Sequence, residues 1–443
     1  MPKNSNSRRN KKGSNVVTNR REDLRSVLSD DNDSAIADNM SVISLTSSAK
    51  WDNGSDDFNN PTDDINDDTN NMSYIDDFES KLIEAIDQTS GKSAKTRQLS
   101  LDSIRKALTT RFCYDFLIDR KVTIGDVLEH SVKRKGEELG SAALLSSVVL
   151  ITLGSSTESD AMFVEIESHL IAAMTDASVS PVIRSKCAIA LGLGHFITNN
   201  GLDSVDSVMD LFQSIFGASF FKGNGAVPTH TNEISSLHAS ALYSWTLLLT
   251  LYTPSAAIHM AERLAKRISE LLDSPDVDLR IAAGECIAVL NEISRECDED
   301  FEFDEMDLLC DKLRALATDS QKFRAKKDRR QQRSSFRDIL KAVEERESPN
   351  MMIKFGRERL VIDSWCRKRQ YDALCYVLKS GMNLHLAEND LLRDIFELGA
   401  PLSALDINSK LTKFERNMSN IASCKARTKT RGKLRDKRAD VMA

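Results

Sequence analysis

From Ile75 to about Val343 apolar positions recur with the 3.6-residue period of amphipathic helices, and the helices themselves recur. Ser93-Ala-Lys-Thr-Arg97 opens a helix that continues through Leu101, Ile104 and Leu108. Ser180-Pro-Val-Ile-Arg184 opens another, running through Ala188, Ala190 and Leu191, and Ser274-Pro-Asp-Val-Asp-Leu-Arg280 a third, through Ala283, Ile287 and Leu290. Each start offers a Ser or Asp that can cap, and twice a proline follows near the first turn, where its missing N–H costs no hydrogen bond. Arg97 and Arg184 lie 87 residues apart, Arg184 and Arg280 96. Each interval is about two units of the 40–47 residues typical of armadillo and HEAT repeats. The intervening units fall at Leu139–Leu153 and Ser235–Leu249, both rich in alanine and leucine. About five repeats result, with an insertion near Gly217–His230. The pattern predicts an all-α fold, an armadillo/HEAT-like α-solenoid over 75–350 in which each repeat buries its apolar face only against its neighbours.

The flanks are patterned differently. Residues 1–74 are rich in Ser, Asn and Asp, basic at first and then acidic, without a single Lys or Arg between Trp51 and Ser80. Such a stretch buries too little apolar surface to offset its ordering entropy, so a disordered N-terminal arm is expected. Ser29, Ser55 and Thr62 each precede two Asp residues, a pattern read either as acid-directed phosphorylation or as plain solvated tail. Over 351–409 a small helical C-terminal domain, or cap, is expected. There Ile353-Lys-Phe-Gly356 reads as a short extended piece, helices follow around Ile362–Lys379 and Glu388–Phe396, and Gly399 with Pro401 stops the last one. Residues 410–443 form a polar, basic tail.

Composition supports the helical reading, since 8 prolines and 18 glycines in 443 residues are few for the turns of a sandwich or barrel. The net charge of −7 hides an asymmetry: −7 over residues 1–80, −13 over 81–320 and +13 over 321–443. That split bears on partners rather than on fold. The eight cysteines never form a C-x-x-C pair, and residues 1–21 are polar and basic. The chain reads as cytoplasmic and nuclear, with reduced thiols and no membrane partner. The apolar runs Ala142–Leu153 and Ala241–Tyr252 fall short of the roughly 20 residues a membrane helix needs.

No catalytic constellation emerges. The Walker, Rossmann, G-x-S-x-G and H-E-x-x-H patterns are absent, and the seven histidines are scattered without metal-ligand spacing. His195, within Gly192-Leu-Gly-His-Phe196, reads as a packed core histidine, and Cys286 and Cys310 as buried small hydrophobes. The expectation is a protein that is not an enzyme and has no catalytic residues, cofactor, metal or small-molecule substrate.

Two basic constellations remain. In the first, Lys326, Arg330, Arg333 and Arg337 stand at i, i+4, i+7 and i+11 on one helical stripe, widened by Lys322, Arg324, Lys327 and Arg329, opposite an apolar side of Phe336, Ile339, Leu340 and Val343. It is either a phosphate-contacting stripe or a solvated face paired with acids of the −13 segment. The second is stronger. Lys425, Arg427, Lys429, Arg431, Lys433, Arg435 and Lys437 alternate with other residues and Arg438 adds one more, so that eight cations face a single acid, Asp436, between 421 and 438. On an extended chain every cation falls on one side; on a helix they are spread all round, as suits a groove or tunnel lined with phosphate. Aromatics are missing after Phe414, so the chemistry is sequence-independent contact with an RNA or DNA backbone. A nuclear localisation signal or a floppy tail is the other reading.

Several blocks resemble the interferon-related developmental regulator family. They are Lys92-Ser-Ala-Lys-Thr-Arg-Gln98, Trp245-Thr-Leu-Leu-Leu-Thr250, Arg280-Ile-Ala-Ala-Gly-Glu285, Leu313-Arg-Ala-Leu-Ala-Thr-Asp319, Ser335-Phe-Arg-Asp338, Ala342-Val-Glu-Glu-Arg346, Ile353-Lys-Phe-Gly356, Phe396-Glu-Leu-Gly399, Lys425-Ala-Arg-Thr-Lys429 and Arg435-Asp-Lys-Arg-Ala-Asp-Val441. Their order and spacing cover roughly 75–443. The resemblance implies an armadillo-like region, a distinct C-terminal family domain over roughly 395–443, and no enzymatic activity. It also implies two functional themes. One is occupation of idle ribosomes, with the basic C-terminal helix entering a channel of ribosomal RNA to block translation. The other is transcriptional co-regulation in differentiation through co-repressor proteins such as histone deacetylase complexes, bound on the solenoid's concave face.

Overall fold

The computed structural model describes residues 68–198, 201–319 and 326–402. Most of the expected N-terminal arm and all of the basic tail lie outside these residues. Helix α1 (Asp68–Gln88) and helix α2 (Ala94–Thr110) form the first of six pairs. A short α3 (Tyr114–Asp119) leads to the pair α4 (Lys121–Val132) and α5 (Glu137–Leu153), then α6 (Thr157–Thr175) with α7 (Pro181–Ile197) and α8 (Leu202–Phe216) with α9 (Asn232–Leu249). The series ends with α10 (Pro254–Glu270) and α11 (Val277–Cys297), and with α12 (Met306–Thr318) and α13 (Lys326–Glu344). Within each pair the second, or B, helix packs on its A helix, and the B helices α2, α5, α7, α9, α11 and α13 pack on one another in sequence order. This is the all-α solenoid that the periodicity predicts. The connection 217–231 is the expected insertion.

One boundary and the number of repeats differ from the expectation. Helix α1 starts at Asp68, inside the stretch assigned to the arm. Phe78, Leu82 and Ile86 bury one stripe of this helix, and once that stripe nucleates it, adding residues upstream is cheap. The five repeats read from the sequence are the B helices α2, α5, α7, α9 and α11. The sixth, α13, lacks the alanine-rich signature and its first half is dominated by basic residues.

The recurring arginine has a structural cause. Arg97 donates from Nη1 to the Gly91 and Lys92 carbonyls at 2.9 Å, Arg184 from Nε to the Met174 carbonyl at 2.7 Å, and Arg280 from Nη1 to the Ser274 carbonyl. Each pins the loop that turns an A helix into its B helix, satisfying carbonyls that helix ends and loops leave open. Arg97 and Arg280 also reach the next B helix, through a two-pronged contact with Glu138 at 2.8 Å and a bond to Gln332 at 2.6 Å. The small residues between them allow close approach: a Cβ on Gly194 would stand 2.0 Å from the Phe163 ring. Of the expected caps only Asp276 acts through its side chain, accepting from the Leu279 N–H at 2.9 Å, whereas Ser93 and Ser180 make no such bond.

After α13 the chain forms a two-stranded antiparallel hairpin, β1 (Met351–Phe355) and β2 (Glu358–Ile362), where the sequence suggested one short extended piece followed by a helix already at Ile362. Gly356, at φ 52°, takes the first central position of the two-residue turn. Phe355, Leu360 and Ile362 are buried on one face. Helix α14 (Trp365–Leu378), a one-turn 3-10 segment, α15 (Met382–Glu388) and α16 (Asp390–Ile395) follow.

These last helices do not stop at the end of the solenoid. They run back along the B row from α11 past α9 to α5 and α2. The Glu292 carboxylate accepts the Trp365 and Cys366 N–H groups at 2.8 and 3.0 Å, capping the start of α14. Gln370 donates to the Thr250 hydroxyl (3.1 Å), His385 Nε2 meets the Leu108 carbonyl (3.1 Å), and Asn389 donates to the Ile151 carbonyl (2.8 Å). Leu108 and Ile151 lie in the last turns of α2 and α5, whose carbonyls have no partner within their own helices. The strap supplies two of the missing donors. Gly381 fits because it has no Cβ, which would fall 1.7 Å from the Thr109 carbonyl.

Candidate nucleic-acid interface

Helix α13 is held by its apolar side. Phe336, Ile339 and Val343 are fully buried, and Gly284 on α11 lets the Phe336 and Ile339 side chains come within 2.9 Å of where a Cβ would stand. That docking turns the other side outward. Lys327, Arg330 and Arg337 are exposed and Arg333 is half-buried. Arg333 and Arg337 form no hydrogen bond or ion pair among the described residues, whereas Arg330 has a partner. Elsewhere in the body cations find acids readily, as at Lys312–Asp273 (2.9 Å), Arg314–Glu344 (2.7 Å) and Lys186–Glu137 (3.1 Å). The internal pairing required by the solvated-face reading is therefore missing at two of the four stripe positions. Lys322, Arg324 and the side chain of Lys326 lie outside the described residues.

The eight tail cations, Lys425 through Arg438, also lie outside them, but the root of the tail is described. Arg393, 1% exposed, donates to Glu358 through Nη1 at 3.0 Å and Nη2 at 2.7 Å. The same guanidinium donates to the carbonyls of Leu386, Ala387, Leu398, Gly399 and Ala400 at 2.6–3.3 Å. One buried side chain thus gathers the end of α15, the turn after α16 and the hairpin, fixing the chain as far as Ala400. No sequence motif announces it. The hairpin's outward face also escaped the sequence reading: Met352, Lys354, Arg359 and Val361 are exposed there.

A second charged cluster lies beneath α14. Lys368 Nζ sits 2.8 Å from both Glu285 and Asp372, and the Arg369 guanidinium lies 4.5 Å over the Tyr243 ring. Burial lowers the Lys368 pKa, but the two carboxylates outweigh it and hold the ammonium above its ordinary value. The cluster joins the strap to α11 and α9.

Several residues of types suited to catalysis are engaged in packing. His195 is buried edge-on to Phe163, its Nε2 3.1 Å from the Glu167 carboxylate but off the line of a good hydrogen bond. Burial pushes the Cys187 and Cys286 thiols up to about 12 and raises Cys310 as well, the reverse of what a nucleophile needs. A cleft between α10, α12 and the loop at Phe301 and Phe303 encloses about 70 Å³, well below the 300–1,000 Å³ usual for ligand sites. Among the described residues no group of three or more His, Cys, Asp or Glu side chains could hold a metal. None of their helices is long and apolar enough to cross a membrane.

Comparison with known proteins matches these features. A profile described as interferon-related developmental regulator covers residues 39–344, and one described as interferon-related protein conserved region covers 389–439, from the last turns of the strap into the basic tail. Interferon-related developmental regulator 1 of Sus scrofa is 43% identical over 370 residues, 83% of this chain and 82% of the relative. Interferon-related developmental regulator 2 of Mus musculus is 41% identical over 378 residues, 84% and 86% of the two chains. An uncharacterized protein of Schizosaccharomyces pombe is 29% identical over 210 residues, 43% of this chain and 46% of the relative. With a helical-repeat body, a strap laid on it and a basic extension beyond, the chain belongs to the interferon-related developmental regulator family.

Proposed function

We propose that this chain is a non-catalytic RNA-binding scaffold that docks on inactive ribosomes and represses translation, its basic C-terminal residues inserted in a channel of ribosomal RNA. The observation that carries the reading is the density of eight cations against one acid between residues 421 and 438. A polycation of this kind gains its affinity by releasing counterions from phosphates. Two structural facts support it. Arg393 ties the chain just ahead of the tail, at 398–400, to the folded body. Arg333 and Arg337 add cations that form no hydrogen bond or ion pair among the described residues.

Co-sedimentation with purified ribosomes at about 50 and 200 mM salt tests the reading. The full chain should bind far more weakly at the higher salt, and a variant with Lys425 through Arg438 neutralised should lose most of its binding at both. Equal sedimentation of the two proteins rejects the tail mechanism.

The alternative is a nuclear co-regulator in differentiation that acts through protein partners such as histone deacetylase complexes. The relatives' names as developmental regulators fit it. On this reading partners would use solenoid surface beside the strap, which lies along α2, α5, α9 and α11. Cell fractionation separates the two readings: protein confined to the nucleus and absent from ribosomal fractions favours the alternative.

A further inference from the structure

Alternation along the hairpin sends Phe355, Glu358, Leu360 and Ile362 inward and Met352, Lys354, Arg359 and Val361 outward. The register places Lys354 directly opposite Arg359, and Met352 directly opposite Val361. Like charges directly opposed on one sheet face repel. Neither Lys354 nor Arg359 forms a hydrogen bond or ion pair among the described residues, and the nearest acid in sequence, Glu358, faces inward and is occupied by Arg393. The fold therefore keeps two unneutralised cations side by side, flanked by two exposed apolar side chains, on an element whose other face holds the root of the tail. A single charged residue on an open strand would be accounted for as protection against edge-to-edge pairing. A directly opposed like-charged pair is not, because it weakens the hairpin that it protects.

We propose that Lys354 and Arg359 form a phosphate-binding platform on the outward face of the hairpin, contacting the RNA backbone beside the segment that enters through the tail. The inference rests on the RNA-binding reading above and adds a contact made by the folded body. The occupant is an RNA backbone because its phosphates match both the paired cations and the charge of the tail. Met352 and Val361 supply apolar contact to ribose or base faces. The pair gains from the ligand twice, through direct charge-assisted bonds and through relief of its own repulsion.

The test is ribosome binding by the full chain carrying Lys354→Gln and Arg359→Gln, measured across the same salt range. Losing two phosphate contacts should lower the slope of log affinity against log salt by about 1.4–1.8, with affinity near 100 mM salt falling on the order of tenfold. The melting temperature should hold or rise, because a repulsive pair has been removed. That outcome separates loss of contact from loss of fold. A control with Lys92→Gln and Lys95→Gln, exposed lysines just before and within the first turn of α2, makes the same change in net charge and should bind as the parent does. The proposal is overturned if the hairpin variant keeps the parent slope and affinity, or if the control loses as much. It is also overturned if the hairpin variant self-associates while binding normally, which would assign the pair to edge protection. The neutralised tail distinguishes the two levels. If the tail variant binds weakly and the hairpin variant normally, the platform fails alone; if neither change matters, the RNA reading fails with it.

Discussion

The repeat body and the strap are both helical, but they are held by different chemistry. In the body each helix buries an apolar stripe against helices near it in sequence. Helix α5 is apolar all round because it packs on α2, α4 and α7 and carries the strap. In the strap the apolar residues Leu374, Leu378, Leu386 and Leu392 are equally buried. Its position, however, is set by polar groups that bond to backbone 73 to 277 residues away, from Glu292 with the Trp365 N–H to His385 with the Leu108 carbonyl. A stack of repeats specifies itself locally. A segment laid across the stack needs addresses, and here the open carbonyls at the ends of α2 and α5 serve as them. One consequence is that part of the B row, along α2, α5, α9 and α11, is occupied from within by the strap.

Four measurements would break or sharpen this contrast. The largest effect is expected in the body. Trp245 on α9 is 1% exposed and packs edge-on to Phe216. Trp245→Ala should cost about 4 kcal/mol, read as a lowered denaturation midpoint across the whole chain. If only the strap loosened, the ladder would not be the cooperative unit described. Next comes the charge cluster under α14. Lys368→Ala leaves Glu285 and Asp372 facing each other largely out of water and should cost about 3 kcal/mol. Adding Glu285→Gln should recover part of that loss, and a double mutant no better than the single one would contradict the bridging role.

A smaller and more local effect is expected at the strap's tip. Asn389→Ala removes the donor to the Ile151 carbonyl and should cost about 2 kcal/mol. Amide exchange should then quicken over residues 382–396 while α7 and α9 keep their protection, and uniform quickening would contradict separate stabilisation. The smallest effect is a pH dependence. Burial depresses the pKa of His385, which lies against the Leu108 carbonyl, and brings His238, beside Ser219 and His230, to about 4. A histidine kept neutral by the fold contributes fully above its unfolded pKa of about 6.5. Its stabilisation is lost as pH falls below that value, because the unfolded chain takes up the proton first. Stability should drop by on the order of 1 kcal/mol for His238 between pH 6.5 and 5.5, and His385 should add a loss of the same sign. His385→Gln should remove the share that belongs to the strap. A flat profile would show that these side chains are wetter than their packing implies.

How far the sequence could be read follows from the same contrast. The arginines at 97, 184 and 280 marked every second B helix because each must reach back over a short loop to its own neighbourhood, so the requirement recurs with the repeat. Helix α13 was legible as an amphipathic element through Phe336, Ile339 and Val343, but its place as the sixth B helix was not, since basic residues replace the alanines. Lys354 and Arg359 were in plain view as single charges. Their opposition became visible only once the register of the hairpin was known, because a shift of one residue would have sent them to opposite faces. Arg393 carried no signal, because its seven hydrogen bonds are shared among three separate stretches of chain.

By itself the sequence determined the all-α class, the repeat period, the core stripes and the concentration of positive charge near the C-terminus. All of these depend on residues a few positions apart or on simple sums of charge. The tertiary structure alone decided that the C-terminal helices lie along the B row, which cations lack internal partners, and where the tail is rooted. Such outcomes turn on which distant carbonyl, carboxylate or ring a side chain meets, and spacing along the chain does not encode that meeting.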